Sequence, residues 1–99
     1  MNILKKAKGD ALTITLEGRL DTTTSPQLDD ELDASLDDVK DLTLDFHELR
    51  YISSAGLRVL LRAQRKMNQK QGKMRVTGVS DSIQEIFEIT GFSEILTIE

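Results

Sequence analysis

The chain has 99 residues, one histidine, no cysteine and no tryptophan, with a formal net charge of -4. That length holds one hydrophobic core and leaves no room for a cofactor domain beside a substrate domain. The composition excludes disulfide frameworks, thiolate metal sites and cysteine nucleophiles, no apolar run can span a bilayer, and the negative balance argues against nucleic acid as the main partner.

In chain order, Ile3 and Leu4 predict a short first strand, closed by a turn at Lys8-Gly9-Asp10. Leu12, Ile14 and Leu16 alternate with Thr13, Thr15 and Glu17, the period of a half-buried strand over 12–17. The two runs are close enough for an antiparallel hairpin. After Gly18-Arg19-Leu20-Asp21 and a threonine-rich loop, Ser25 is expected to cap a helix with Pro26 at its first position. Leu28, Leu32 and Leu36 recur every fourth residue on that helix.

Residues 42–46 alternate as a second core strand. Ser53 and Ser54 follow, and a helix is predicted from Ala55 to Gln71, stopped by Gly72. Leu57, Leu60, Leu61 and Met67 share one face of it, and Arg58, Arg62 and Arg65 share the opposite face. Met74 and Val76 mark a strand over 74–77. Asp81 or Ser82 is expected to cap a third helix carrying Ile83, Ile86 and Phe87, with Gly91 ending it. A last strand is predicted over 95–98.

The expected fold is therefore a single α/β domain over 1–99. It has a mixed, mostly parallel sheet with an antiparallel N-terminal strand, in the order ββαβαβαβ. Right-handed crossovers make the later strands parallel and bring their ends to one edge of the sheet. That edge would carry Asp21 and the Ser53-Ser54 pair on neighbouring loops, where open α/β sheets meet their ligands and partners.

Charge is divided unevenly along the chain. Residues 21–48 hold ten acids and one base, Lys40, whereas 49–80 hold eight bases and no acid. Two readings stay open: two solvated faces that attract each other weakly across the domain, or a bipolar surface that orients a protein partner.

The serine pair admits three chemistries. A serine can cap the helix, act as a nucleophile, or accept a phosphate. Nucleophilic catalysis needs a base held by an orienting group, and the one imidazole, His47, is several residues away. Neither G-x-S-x-G nor a P-loop string occurs, so neither serine hydrolysis nor nucleotide hydrolysis is expected. A phosphate on Ser54 is physically reasonable, because the free N–H groups and dipole of a helix N-terminus favour an anion.

Taken together and in this order, several strings resemble the anti-sigma factor antagonists, members of the STAS domain group. They are Glu17-Gly18-Arg19-Leu20-Asp21, Ser25-Pro26-Gln27-Leu28, Leu44-Asp45-Phe46, Tyr51-Ile52-Ser53-Ser54-Ala55-Gly56-Leu57 and Thr90-Gly91-Phe92. The resemblance spans nearly the whole chain. It implies that Ser54 takes the phosphoacceptor place of an Asp-Ser-Ser/Thr-Gly string and Gly56 the place of its glycine. Ser53 stands where the family often has aspartate, and Ala55 where it has a second hydroxyl; Ser53 is the alternative acceptor.

The implied mechanism is a cytoplasmic anti-anti-sigma switch in which the chain is not an enzyme and takes no cofactor or metal. The unmodified domain binds an anti-sigma factor that is a serine kinase, frees a sigma factor, is released on phosphorylation, and is restored by a serine phosphatase. Asp21, Ser53, Ser54, Gly56, Arg58 and Arg62 are the expected partner-binding residues. Two other readings compete. One is a STAS interaction module of another signalling or transporter complex, without phospho-switching. The other is a domain binding a small anion or nucleotide at the helix N-terminus.

Overall fold

A computed structural model describes residues 1–99. Its elements run β1 (Asn2–Lys8), β2 (Ala11–Leu20), α1 (Ser25–Ser35), β3 (Asp41–Ile52), α2 (Ser54–Gln69), β4 (Lys73–Thr77), α3 (Asp81–Thr90) and a 3-10 turn (Phe92–Glu94). The sheet order is β1-β2-β3-β4, with β1 antiparallel to β2 and the other pairs parallel. The mixed sheet with its antiparallel first strand is the expected one.

Strands β2, β3 and β4 follow one another across the sheet in a single direction. Right-handed crossovers then set α1 and α2 on the same face. The alternation of the strands matches that geometry. Leu12, Ile14, Leu16, Leu42, Leu44, Phe46, Met74 and Val76 are buried, while Thr13, Thr15, Thr43, Asp45, Arg75 and Thr77 on the other face stay half-exposed. Leu28, Leu32 and Leu36 from the α1 segment, Leu57, Val59, Leu60, Ala63 and Met67 from α2, and Ile83 and Phe87 from α3 complete one apolar core.

Strand β3 is much longer than the five alternating residues that announce it. The ten residues of β2 face twelve of β3, because register shifts between Thr15 and Glu17 and between Gly18 and Arg19 each put one extra residue on β3. Each shift is a bulge, and it changes the burial spacing from two to three: Phe46, Leu49 and Ile52 are inward. Gly18 supplies a positive φ of 109° beside these shifts. Strand β4 pairs with β3 only as far as Asp45 opposite Thr77, so the second half of β3 is paired with β2 alone.

Other boundaries move for local reasons. Thr24, not Ser25, stands at the N-cap of α1; Ser25 is buried inside the first turn and donates from Oγ to the Asp21 carbonyl at 2.5 Å. Helix α2 ends at Gln69, and Gln71 rather than Gly72 takes the left-handed conformation, with φ of 61°. Gly72 is required by space: a Cβ there would lie 2.7 Å from Met67 Cε and 2.9 Å from the Lys40 carbonyl oxygen. Ser80, one residue before the expected Asp81, caps α3 by accepting from the Ile83 N–H at 3.3 Å, and Gly91 closes it with φ of 81°. The predicted strand over 95–98 shrinks to one bridge between Val76 and Ile98, since the 3-10 turn consumes the chain before it.

Candidate functional site

The C-terminal ends of β2 and β3 lie in register, Leu20 opposite Ile52, and the Ser53 N–H donates to the Leu20 carbonyl at 2.9 Å. The loop that begins at Asp21 and the N-terminus of α2 therefore leave the sheet side by side, as the topology requires. No helix of the chain is long and apolar enough to cross a membrane.

Asp21 organises its loop. Its Oδ1 accepts the N–H groups of Thr23 at 3.0 Å and Thr24 at 3.1 Å, and the Thr24 hydroxyl at 3.2 Å. Its own N–H donates to Thr24 Oγ1 at 2.9 Å, and its carbonyl accepts the Ser25 N–H at 2.8 Å. This is an Asx turn closed onto the first turn of α1. The Thr24 N–H lowers the carboxyl pKa most; the Thr23 N–H, the Thr24 hydroxyl and the Arg19 charge add to it, against partial burial.

The two serines differ sharply. Ser53 takes the N-cap position of α2 with extended backbone, yet its side chain makes no capping bond, and its Oγ is buried without a partner. Ser54 is the first helical residue and is exposed. Neither hydroxyl approaches His47. That imidazole lies within β3, with Nδ1 2.8 Å from Asp45 Oδ1 and Nε2 3.5 Å from Glu48 Oε1. The Asp45 hydrogen bond and charge raise its pKa. A serine–histidine pair is therefore not assembled here.

Gly56 is buried in the first turn of α2. A Cβ there would stand 2.8 Å from Leu20 Cγ and 2.9 Å from Ile52 Cγ1. Glycine thus lets α2, with Ser54 at its first position, begin directly over the two strand ends.

The divided charge resolves into two helices packed side by side. Arg62 pairs with Asp29 and, at 3.7 Å, with Asp33; Lys66 reaches Asp33 at 3.3 Å. Lys70 Nζ donates to the carbonyls of Leu36 and, at 2.9 Å, Asp37. Much of the basic face is thus neutralised within the domain, Arg62 included. Arg58 is exposed and makes no ion pair. It flanks a groove of about 280 Å³ between the starts of α1 and α2, with Thr22, Ser25, Pro26, Asp29, Ala55, Val59 and Arg62.

One feature of this edge was hidden from the sequence pattern. The Arg19 guanidinium lies 4.2 Å from the centre of the Tyr51 ring, across the β2–β3 pair. Tyr51 is 39% exposed. The only signal for this pair is register, which appears once β3 is extended to Ile52.

Comparison with known proteins identifies the family and the fold. The STAS domain family matches residues 2–99. The anti-sigma-B factor antagonist of Listeria monocytogenes is 33% identical, covering 100% of this chain and 90% of its own. Its counterpart in Staphylococcus aureus is 27% identical over 99% of this chain and 92% of its own. Among solved structures, an anti-sigma factor antagonist from Mycobacterium paratuberculosis shares the fold with a TM-score of 0.87 at 19% identity, over 98% of this chain and 83% of that one. Unphosphorylated SpoIIAA does so with 0.80 at 17% identity, over 99% and 87%. With a family match from end to end and a full-length relative one-third identical, the chain belongs to the STAS domain family, among the anti-sigma factor antagonists.

Proposed function

We propose that this chain is a cytoplasmic phospho-switch acting at Ser54. In its unmodified form it binds an anti-sigma factor serine kinase and so frees a sigma factor. Transfer of the γ-phosphoryl group of ATP to Ser54 Oγ places about two negative charges on the contact surface and releases the kinase. A serine phosphatase hydrolyses the ester and restores binding. The chain itself performs no chemistry in this cycle.

The observation that carries the reading is the contrast between adjacent hydroxyls. Ser54 is exposed at the first position of α2, whereas Ser53 Oγ is buried. A kinase can reach the first without unfolding anything. The Asp21 loop and Arg58 flank it and complete a contact surface for the partner. SpoIIAA has been solved in both an unphosphorylated and a phosphorylated form, and this chain shares the fold of each, with TM-scores of 0.80 and 0.79.

The test is incubation with the cognate kinase and ATP, followed by intact mass and peptide mapping. One added phosphate on Ser54, abolished by Ser54→Ala, supports the reading. A phosphate mapped to Ser53 or to a threonine overturns the site. Stable kinase binding with no phosphate transfer overturns the switch in favour of a constitutive interaction module.

A further inference from the structure

We propose that Arg58 is the built-in counter-ion of the phosphorylated state. In that state its guanidinium folds back one helical turn to pair with the phosphate on Ser54. The inference rests on Ser54 as the acceptor and adds a regulatory residue to that reading.

Four cations lie along the side of α2 that meets α1: Arg58, Arg62, Lys66 and Lys70. The last three are engaged, Arg62 and Lys66 with the carboxylates of Asp29 and Asp33, and Lys70 with the carbonyls that end α1. Arg58 alone is unpaired, although it shares a groove with Asp29, because Arg62 holds that carboxylate. The other arginines of this edge are placed elsewhere. Arg19 is stacked on Tyr51 and lies 3.7 Å from Asp21 Oδ2, and Arg50 lines a separate hollow with His47, Ser80 and Ser82.

The spacing completes the argument. Ser54 and Arg58 are four residues apart on one helix, so their side chains are neighbours on one face, with the anion N-terminal to the cation. That order also agrees with the helix dipole. A guanidinium presents two parallel N–H donors to a phosphate, which an exposed lysine does not. Asp29, which shares the groove with Arg58, is already committed to Arg62, and Asp21 to the Thr23 and Thr24 N–H groups. Neither competes strongly for Arg58.

The pairing changes the surface at two residues with one modification. Phosphorylation adds charge at Ser54 and withdraws the Arg58 cation from the groove between α1 and α2. A partner that touches that groove through an acidic group loses its contact while it meets the new repulsion.

The test uses the full chain with phosphoserine installed at position 54 during translation, so no kinase is needed. Titration of the phosphate by ³¹P NMR should give a second pKa below that of free phosphoserine. Arg58→Gln should raise it by about 0.2–0.4 unit, and Arg58→Lys should recover part of the shift. Arg50→Gln should leave it unchanged. Phosphorylation should also raise the thermal midpoint more in the wild type than in Arg58→Gln. Identical phosphate titrations in the wild type and Arg58→Gln, or a larger change in Arg50→Gln, would overturn the pairing. Failure of a kinase to modify Ser54 would instead count against the switch and leave this result standing.

Discussion

Asp21 closes the turn that leads into α1 and belongs to the proposed contact surface. Its Oδ1 gathers three donors from Thr23 and Thr24, so removing the oxygen leaves two backbone N–H groups without a partner. Asp21→Ala should lower the thermal midpoint, whereas Asp21→Asn keeps an acceptor and should lower it less. Thermal denaturation of the two variants separates the turn from the site. If Asp21→Asn keeps the midpoint but loses kinase affinity, the charge itself belongs to the contact surface. The lowered carboxyl pKa fixes the sign of its pH dependence: the contribution is present above about 3.8 and fades as pH falls through the lower, folded value.

His47 titrates in the opposite sense. Its folded pKa is raised by the Asp45 hydrogen bond and charge, with Glu48 and Glu17 adding to them. The stabilisation is complete below the ordinary value of 6.5 and is lost as pH rises through the folded value. The midpoint should therefore fall slightly between neutral and mildly alkaline pH, and His47→Gln should flatten that slope. Because the imidazole is exposed, the effect should shrink with added salt. An unchanged slope in His47→Gln would assign it to other groups.

At the scale of elements, helix α2 separates what periodicity reads well from what it does not. Leu57, Leu60 and Met67 are buried, as their spacing predicts. Leu61 is only half-buried, while Val59, Ala63 and Gln64 are in the interior. The buried stripe is rotated, since α2 packs against α1 as well as against the sheet. Leu60→Ala should cost about 2–5 kcal/mol and Leu61→Ala clearly less, by chemical denaturation. Equal losses would mean that the two leucines share one environment.

Strand β3 carries the second lesson. Its first half reads as a strand because burial alternates. Its second half does not, because two bulges space Phe46, Leu49 and Ile52 three apart, a spacing that a helix would also give. Bulges are set by pairing with β2, which no local window contains. Helix caps were displaced by one residue for a similar reason. Asp81, Ser80 and Ser82 are all good caps by type, and tertiary position chooses Ser80.

At the scale of the whole molecule, topology was the most legible feature. Alternating strand and helix signals with right-handed crossovers put the Asp21 loop beside the serines, and the register of Leu20 with Ile52 places them there. The charge division was legible as composition, but its meaning was not. Only the packing of α1 on α2 shows that Arg62 and Lys66 are answered within the chain and that Arg58 is not. A partial mimic of the modified state follows. Ser54→Asp should weaken kinase binding with little change in thermal midpoint, because an anion suits the start of α2. A lower midpoint with full affinity would contradict it.

The uneven lengths of β3 and β4 carry a further consequence. Beyond Asp45, β3 loses its neighbour on one side, so the stretch leading to the serines is anchored along a single edge. Such a segment opens at lower free energy than the strand middle. In hydrogen–deuterium exchange, amides of residues 46–51 on the side away from β2 should exchange faster than those of residues 42–45, under conditions where the domain remains folded. The proposed acceptor serine would then follow a half-moored strand, tied to β2 as far as Leu20 and unmoored along its other edge. Such compliance would let the hydroxyl advance into a kinase active site while the core beneath stays closed.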